Sequence, residues 1–305
     1  VSCDRPAVVR VAAPTERRNP SSVDLDLMST RDVLAVINEA DQRVPGAVAE
    51  VLDELARLVG LAVEALRAGH RVHYVGAGTS GRLAVLDAAE LPPTYNAPPD
   101  WFCAHLAGGP QAVTRAVENA EDDAGAGAGE LRGCAVAGDV VVGLAASGRT
   151  PYVVGALRAA RALGAHTALV CADPHAAVAS EVTVFLGVDT GPEVVTGSTR
   201  MKAATAQKLV LNAFSTAVMV RLGRVYSNLM VDVRATNAKL RGRMVSILME
   251  ATGASEQRCL RALDDTGGEL KPALVCLVSG APVGAARAAL ARSADQVRAA
   301  LALLA

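Results

Sequence analysis

Three short segments of the chain combine glycine with small hydroxylated residues. They are Gly76-Ala77-Gly78-Thr79-Ser80-Gly81, Ala146-Ser147-Gly148-Arg149-Thr150 and Thr196-Gly197-Ser198-Thr199. Each reads as the turn between an apolar strand and a helix. Glycine lets a backbone approach a ligand closely. Unpaired N–H groups at a helix start, at the positive end of the helix dipole, suit an anion such as phosphate. Serine and threonine add hydroxyl donors without bulk. The first segment also fits GxGxxG, so a dinucleotide site has to be weighed. That fingerprint wants an acidic residue about 20 positions on, closing the next strand, whereas Asp100 precedes the candidate strand at Phe102. A tight turn with a helix cap would explain any one of these loops and explains three together poorly. Recurrence on three strands favours a phosphorylated small molecule.

Carboxylates come next. Glu90 precedes Leu91-Pro92-Pro93-Thr94-Tyr95, and the Pro-Pro pair is expected to end the helix there. A carboxylate at a helix C-terminus opposes the dipole, which favours its protonated form, as a general acid near neutral pH requires. A second acid lies in Val117-Glu118-Asn119-Ala120-Glu121-Asp122-Asp123, where spacing alone does not separate Glu118 from Glu121. Any one acid in such a run is by default solvated. Two carboxylates whose environments push their pKa values apart would form an acid/base pair. Arg82, Arg149, Arg200 and Lys202 sit in or beside the loops, placed equally well to meet a phosphate or carboxylate or to serve as surface or subunit-contact charge. His73, inside a strand, reads as structural, and no histidine is assigned to catalysis.

The elements that must position these groups are legible in the hydrophobic periods. Residues 1–22 form a polar arm ending in turn formers. A helix starts at Ser29-Thr30-Arg31-Asp32, and a longer one covers Val44 to Leu66. Strands are expected at 72–75, 102–106, 139–144, 166–171 and 182–186, with helices at 82–89, 152–163 and 200–222 between or after them. Short strands alternating with helices imply a parallel sheet covered on both faces, with the loops gathered on one edge. From about Asn228 the pattern is helical without clear strands, with segments at 255–263, 271–278 and 283–304. Ala124–Gly129, AGAGAG, reads as a mobile low-complexity loop. The division expected is 1–54 for the N-terminal arm and helices, 55–226 for the domain that carries the strands and the three loops, and 227–305 for a small helical C-terminal bundle.

Composition narrows the classes. With 30 Lys+Arg against 31 Asp+Glu, the formal net charge is −1, so no broad cationic field gathers nucleic acid or an acidic membrane. Hydrophobic residues make up 51% and aromatics 3%, which suits closely packed helices and buried strands and leaves few rings for stacking on sugars or bases. The six cysteines form no CxxC pair and no Cys/His cluster at zinc-ligand spacing, so reduced, mostly buried thiols of a cytoplasmic protein and no bound metal are expected. No apolar run approaches the roughly 20 residues that span a bilayer. The first 14 residues carry Asp4, Arg5 and Arg10 and show no signal-peptide block.

Several longer strings then carry a resemblance: VGAGTSGRLAVLDAAELPPTY (75–95), VENAEDD (117–123), GLAASGRTPYVVGAL (143–157), EVVTGSTRMKAATAQKLVLN (193–212) and NLMVDVRATNAKL (228–240), with TERRNP near the start. Together they resemble the N-acetylmuramic acid 6-phosphate etherase family over roughly residues 15–253. The resemblance implies a sugar isomerase (SIS) fold, a three-layer α/β/α sandwich with a five-stranded parallel sheet, working as a homodimer in the cytoplasm with no metal or organic cofactor. It implies cleavage of the D-lactyl ether of N-acetylmuramic acid 6-phosphate to N-acetylglucosamine 6-phosphate and D-lactate, in cell-wall salvage. Carried over residue by residue, the acid that protonates the departing lactate oxygen falls on Glu90. The second glutamate falls on Glu121, with the role of base at C2. The phosphate-binding hydroxyls fall on Ser147 and Thr150, while Thr79, Ser80, Ser198 and Thr199 line the sugar site. Relatives often carry Cys after the acid and Gly after the aromatic residue, where this chain has Leu91 and Asn96. The alternatives are an aldose–ketose isomerase on the same fold and a sugar-phosphate-sensing protein of the glucokinase-regulator type. Retention of both glutamates weighs against the sensor. A DNA-binding regulator would want a basic helix-turn-helix module, which the first 50 residues do not read as.

Overall fold

A computed structural model describes residues 13–233 and 238–305. Cys3 and most of the polar arm, together with Arg234–Asn237 of the 228–240 string, lie outside the described residues. The chain divides into two compact units. The first comprises residues up to Val85 together with Phe102–Asn212, and the second comprises Leu86–Trp101 with Ala213–Ala305.

The first unit holds helices α1 (Thr30–Asp41), α2 (Val44–Ala49) and α3 (Leu52–Arg67), then strand β1 (Val72–Gly76) and the start of α4 (Gly78–Tyr95). After the excursion into the second unit come β2 (Phe102–Leu106), α5 (Ala124–Arg132), β3 (Val140–Leu144), α6 (Pro151–Ala162), β4 (His166–Cys171), β5 (Val184–Gly187) and the first half of α7 (Lys202–Arg221). The five strands form one parallel sheet in the order β2-β1-β3-β4-β5. Every residue of β1 and β3 is buried, as a parallel sheet covered on both faces demands. Val75, Val141 and Leu169 pack under Leu131 of α5 and Tyr152, Val153 and Leu157 of α6.

Several local expectations are corrected. Val44–Leu66 is two helices, broken at Glu50-Val51, rather than one. The helix after the first glycine loop begins at Gly78 and does not stop at Ala89; it continues through Pro92 and Pro93 to Tyr95. Ala124–Gly129 is helix α5 rather than a mobile loop. Asp123 caps it by accepting the Ala126 N–H at 2.8 Å, and Gly127 serves close packing. A Cβ on Gly127 would run into the Tyr152 carbonyl of α6, and one on Gly155 of α6 into the Ala124 carbonyl of α5. Backbone thus meets backbone, which no larger residue permits.

The second unit contains the end of α7, a two-stranded antiparallel hairpin β6 (Val225–Tyr226) and β7 (Leu229–Met230), and helices α8 (Ala238–Thr252), α9 (Glu256–Asp265), α10 (Leu270–Ser279), α11 (Val283–Arg292) and α12 (Val297–Ala302). The hairpin corrects the reading that no strand follows Asn228. The last helical pattern is two helices, because Ala294 and Asp295 take left-handed φ values of 49° and 63° between them. The core of this unit is aliphatic: Met244, Ile247, Leu248, Leu263, Leu274 and Leu290. Among the described residues no single helix is long and apolar enough to cross a membrane. None of the five described cysteines forms a disulfide, and of them only Cys171 and Cys259 are fully buried. Burial pushes the Cys171 thiol up to about 12, which makes it a poor nucleophile.

Gly127→Ala should destabilise the protein by about 1–3 kcal/mol through overpacking. Gly129→Ala, two positions on in the same helix with nothing near the added methyl, should stabilise it by up to about 1 kcal/mol. Denaturant unfolding of the pair checks this, and equal effects would contradict the packing role.

Candidate active site

Chain order places the ligand edge. β1 leads to β2 on one side of the sheet, while β3, β4 and β5 run to the other, so the strand order reverses between β1 and β3. In parallel α/β sheets, ligands bind outside the carboxyl ends of the strands at this switch point. Gly76 and Leu144 are register partners at those ends. The turns that follow carry Thr79 and Ser80 in the first turn of α4, and Ser147 and Thr150 ahead of α6. Four of the predicted hydroxyls therefore leave adjacent strands at the same edge. Ser198 and Thr199 follow β5 and precede α7.

Local geometry explains each turn. A Cβ on Gly76 would lie 2.6 Å from the Gly81 nitrogen, so strand and helix approach closely enough that both positions need glycine. Ser147 Oγ accepts the Arg149 N–H at 3.3 Å, which closes the turn on itself. Thr150 caps α6 by backbone conformation, with no side-chain cap hydrogen bond, so its hydroxyl is not spent on its own helix.

The third turn is held from both sides. The arm residues Thr15, Asn19 and Ser22 bind it: Gly197 donates its N–H to the Thr15 carbonyl at 3.1 Å, Asn19 Nδ2 donates to Pro192 O at 3.3 Å, and Ser22 Oγ donates to Val194 O at 2.7 Å. From below, the buried Glu193 carboxylate accepts the N–H groups of Lys202 and Ala203 at 3.1 and 3.0 Å, satisfying the start of α7. Burial raises the Glu193 pKa against the pull of those two bonds. Burial likewise lowers that of Lys202, whose ammonium donates to the Thr190 carbonyl at 2.5 Å. Thr15 Oγ1, whose own carbonyl binds this turn, and Thr190 Oγ1 and the Gln207 side-chain amide, which flank it in sequence, are buried with no hydrogen-bond partner among the described residues. Buried polar atoms of that kind are normally met by water or ligand.

Three of the four cations that the sequence left open have protein partners. Arg82 donates to the carbonyls of Val113 and Arg115 at 3.0 and 3.2 Å, and Arg149 approaches Asp173 at 3.7 Å. Lys202 is buried, as above, and Arg200 is exposed.

The two glutamates stand differently. Glu121 is exposed in a short 3-10 turn, Ala120–Asp122, immediately before α5 and packed against α6 in the first unit. Glu90 is exposed and belongs to the second unit, inside α4 and short of its end at Tyr95. The helix-end dipole effect expected for it therefore does not apply. One turn earlier, buried Asp87 accepts the Ser215 hydroxyl of α7 at 3.1 Å, which fixes this half of α4. The second unit also holds a cleft of about 880 Å³, whose lining charges pair with one another: Lys271 with Asp232 at 2.9 Å and Arg287 with Glu269 at 2.9 Å.

A family model described as the glucokinase regulatory protein N-terminal SIS domain matches residues 54–161. An N-acetylmuramic acid 6-phosphate etherase of Thermobifida fusca (strain YX) is 61% identical over 269 residues, 88% of each chain. One of Cutibacterium acnes is 53% identical over 290 residues, 95% of each chain. The chain belongs to the N-acetylmuramic acid 6-phosphate etherase family. Two solved phosphoheptose isomerases share the fold. That of Neisseria gonorrhoeae has a TM-score of 0.50 at 19% identity, covering 62% of this chain and 99% of its own. That of Francisella tularensis has a TM-score of 0.51 at 16% identity, covering 63% and 100%.

The two departures from the etherase pattern have physical explanations. Asn96 has φ 50°, in the left-handed region that glycine and asparagine both tolerate. Leu91 is 3% exposed, so the position wants an apolar side chain of moderate size. Glu193 is the residue that sequence reasoning passed over. Its signal was present, since it opens one of the family-like strings, but nothing in spacing says that a carboxylate will turn back onto N–H groups nine and ten residues on.

Glu193→Ala should cost about 1–3 kcal/mol, because it leaves two buried N–H groups unmet. Urea unfolding measures the loss. Wild-type stability in this variant would mean that the carboxylate does not hold the start of α7.

Proposed function

We propose that Glu90 and Glu121 are the acid and base of the etherase reaction, and that the hydroxyls at the switch point hold the phosphosugar. The chain is an N-acetylmuramic acid 6-phosphate etherase: it eliminates D-lactate from N-acetylmuramic acid 6-phosphate and adds water to give N-acetylglucosamine 6-phosphate. The observation that carries the binding reading is the pairing of β1 with β3, which puts two hydroxyl-bearing turns and two helix starts at one edge. Such an edge offers N–H and O–H donors and little net charge, as a phosphate bound by helix N-termini requires.

The chemistry follows from the substrate. A lactyl ether at C3 leaves poorly unless its oxygen is protonated. In the open-chain sugar the C2 proton is acidified by the C1 aldehyde. Glu121 removes that proton, Glu90 protonates the C3 oxygen as lactate departs, and an α,β-unsaturated aldehyde results. Water then adds at C3 with the two roles reversed. Each positioned acid or base contributes typically about 10²–10⁴-fold. Ser147 and Thr150 are read as phosphate contacts, and Thr79, Ser80, Ser198 and Thr199 as sugar contacts. The protein is further read as a cytoplasmic homodimer, following the resemblance of its motifs.

Purified protein should release D-lactate from N-acetylmuramic acid 6-phosphate. A folded protein that binds the phosphosugar and releases no lactate would overturn the activity and favour a sensor. Glu90→Ala should stop lactate release while C2-proton exchange with solvent on N-acetylglucosamine 6-phosphate survives, and Glu121→Ala should lose both. Exchange lost in Glu90→Ala but kept in Glu121→Ala would reverse the two roles.

A further inference from the structure

Beneath the loops, on the face of the sheet covered by α5 and α6, lies a polar network that the etherase chemistry does not use. His73 of β1 and His105 of β2 stack with ring centroids 5.2 Å apart, and His73 Nδ1 lies 3.0 Å from His105 Nε2. The outer nitrogen of each ring faces a carboxylate: His73 Nε2 is 3.2 Å from Asp139 Oδ2, and His105 Nδ1 is 2.9 Å from Glu130 Oε1. Both carboxylates are already held as acceptors. Asp139 accepts the backbone N–H groups of Arg71 at 2.9 Å and Val136 at 2.8 Å, and Glu130 accepts the Tyr152 hydroxyl.

This arrangement fixes the tautomers. Two ionised carboxylates require an N–H on each outer ring nitrogen. The two inner nitrogens of neutral rings then present lone pairs to each other at 3.0 Å. Something positive has to lie between or beside them. Cys134, in the turn that follows α5, stands at the same point, its Sγ 4.0 Å from His105 Nε2, and one ligand atom from each of His73, His105 and Cys134 lies within 4.8 Å of the others. In a tetrahedral zinc site, with Zn–N of about 2.0–2.1 Å and Zn–S of about 2.3 Å, neighbouring donors stand roughly 3.3–3.6 Å apart. The two imidazole nitrogens and the His105–Cys134 pair lie within about half an ångström of those spacings, and the thiol has to move by about 1 Å towards His73 to complete the set. Histidines that donate their second N–H to a carboxylate are also the usual outer sphere of a protein-bound metal.

We propose that His73, His105 and Cys134 bind a divalent transition-metal ion of the zinc type, oriented by Asp139 and Glu130. On binding, the Cys134 thiol loses its proton to solvent and the thiolate joins the two imidazoles as ligand. Cys134 is half-buried, so the ion has a route in and solvent a route to the fourth position. Cys103, in register with His73, adds a second thiol on the same face. The role is structural. The ion ties β1 and β2 to the turn that ends α5, and through Glu130 and Tyr152 to α5 and α6, the helices that follow Glu121 and Thr150. The ligand set was invisible in spacing because its members are spread over 62 residues, from position 73 to 134.

The full chain, stripped with a chelator and shown folded by circular dichroism, is titrated with Co²⁺. One ion should bind per chain, with a thiolate-to-cobalt charge-transfer band and a tetrahedral ligand-field spectrum, and Zn²⁺ should displace it. Cys134→Ser should weaken the charge-transfer band and the affinity, and Glu130→Gln should weaken binding about 10- to 100-fold. Absence of Co²⁺ binding by the folded wild type would overturn the proposal, as would a spectrum and affinity unchanged in Cys134→Ser. A low-field imidazole proton shared between His73 and His105 that persists in the presence of excess Zn²⁺ would also overturn it, by showing a proton where the ion should be.

Discussion

The in-register pairing of β1 with β3 is the constraint on which the rest depends. It joins strands that are not consecutive in the chain, and so creates the point where the strand order reverses. Because both strands are parallel and end together, their following turns and helix starts have to emerge side by side. The hydroxyls of Thr79, Ser80, Ser147 and Thr150 owe their common edge to that pairing rather than to their separation in sequence.

Close approach of backbone is the second organising feature. Gly76 and Gly81 bring α4 onto β1, while Gly127 and Gly155 bring α5 onto α6. These contacts have little tolerance, since an added methyl meets a carbonyl or an amide rather than the end of a flexible side chain. They shorten the distance between the sheet and its covering helices. The His73, His105, Glu130 and Asp139 network lies on the face covered by α5 and α6, its carboxylates held by the outer ring nitrogens, by backbone amides and by the Tyr152 hydroxyl. Hydrogen bonding to His105 lowers the Glu130 pKa, and burial together with Glu130 raises that of Tyr152, so the carboxylate stays charged and the phenol stays protonated at neutral pH.

The near-zero net charge and the scarcity of aromatics match this architecture. The cations beside the loops are largely engaged by the protein itself: Arg82 with two carbonyls, Arg149 with Asp173, and Lys202 with Thr190. On the proposed assignment, recognition of an anionic sugar rests on helix starts and small hydroxyls, which bind through direction rather than through a broad field.

The sequence by itself determined the elements and the chemistry class. Apolar runs of strand length and helical periods are local signals, and they located all five parallel strands to within a few residues. The glycine–hydroxyl turns and the family-like strings carried the ligand class and the candidate glutamates. What needed tertiary structure is whatever depends on contacts between distant residues. AGAGAG looks disordered by composition and is helical with α6 packed against Gly127 and Ala124. The helix bearing Glu90 continues through Pro92 and Pro93, although proline locally argues for a stop. Asn96 replaces glycine without strain only because its backbone is left-handed. Glu193, Asp139, Glu130 and Cys134 show no distinctive spacing, and they become partners of α7 and of the two histidines only when the sheet closes. A chain pattern records what a residue prefers over a turn or a strand, whereas a buried polar group is fixed by whatever the fold brings to it.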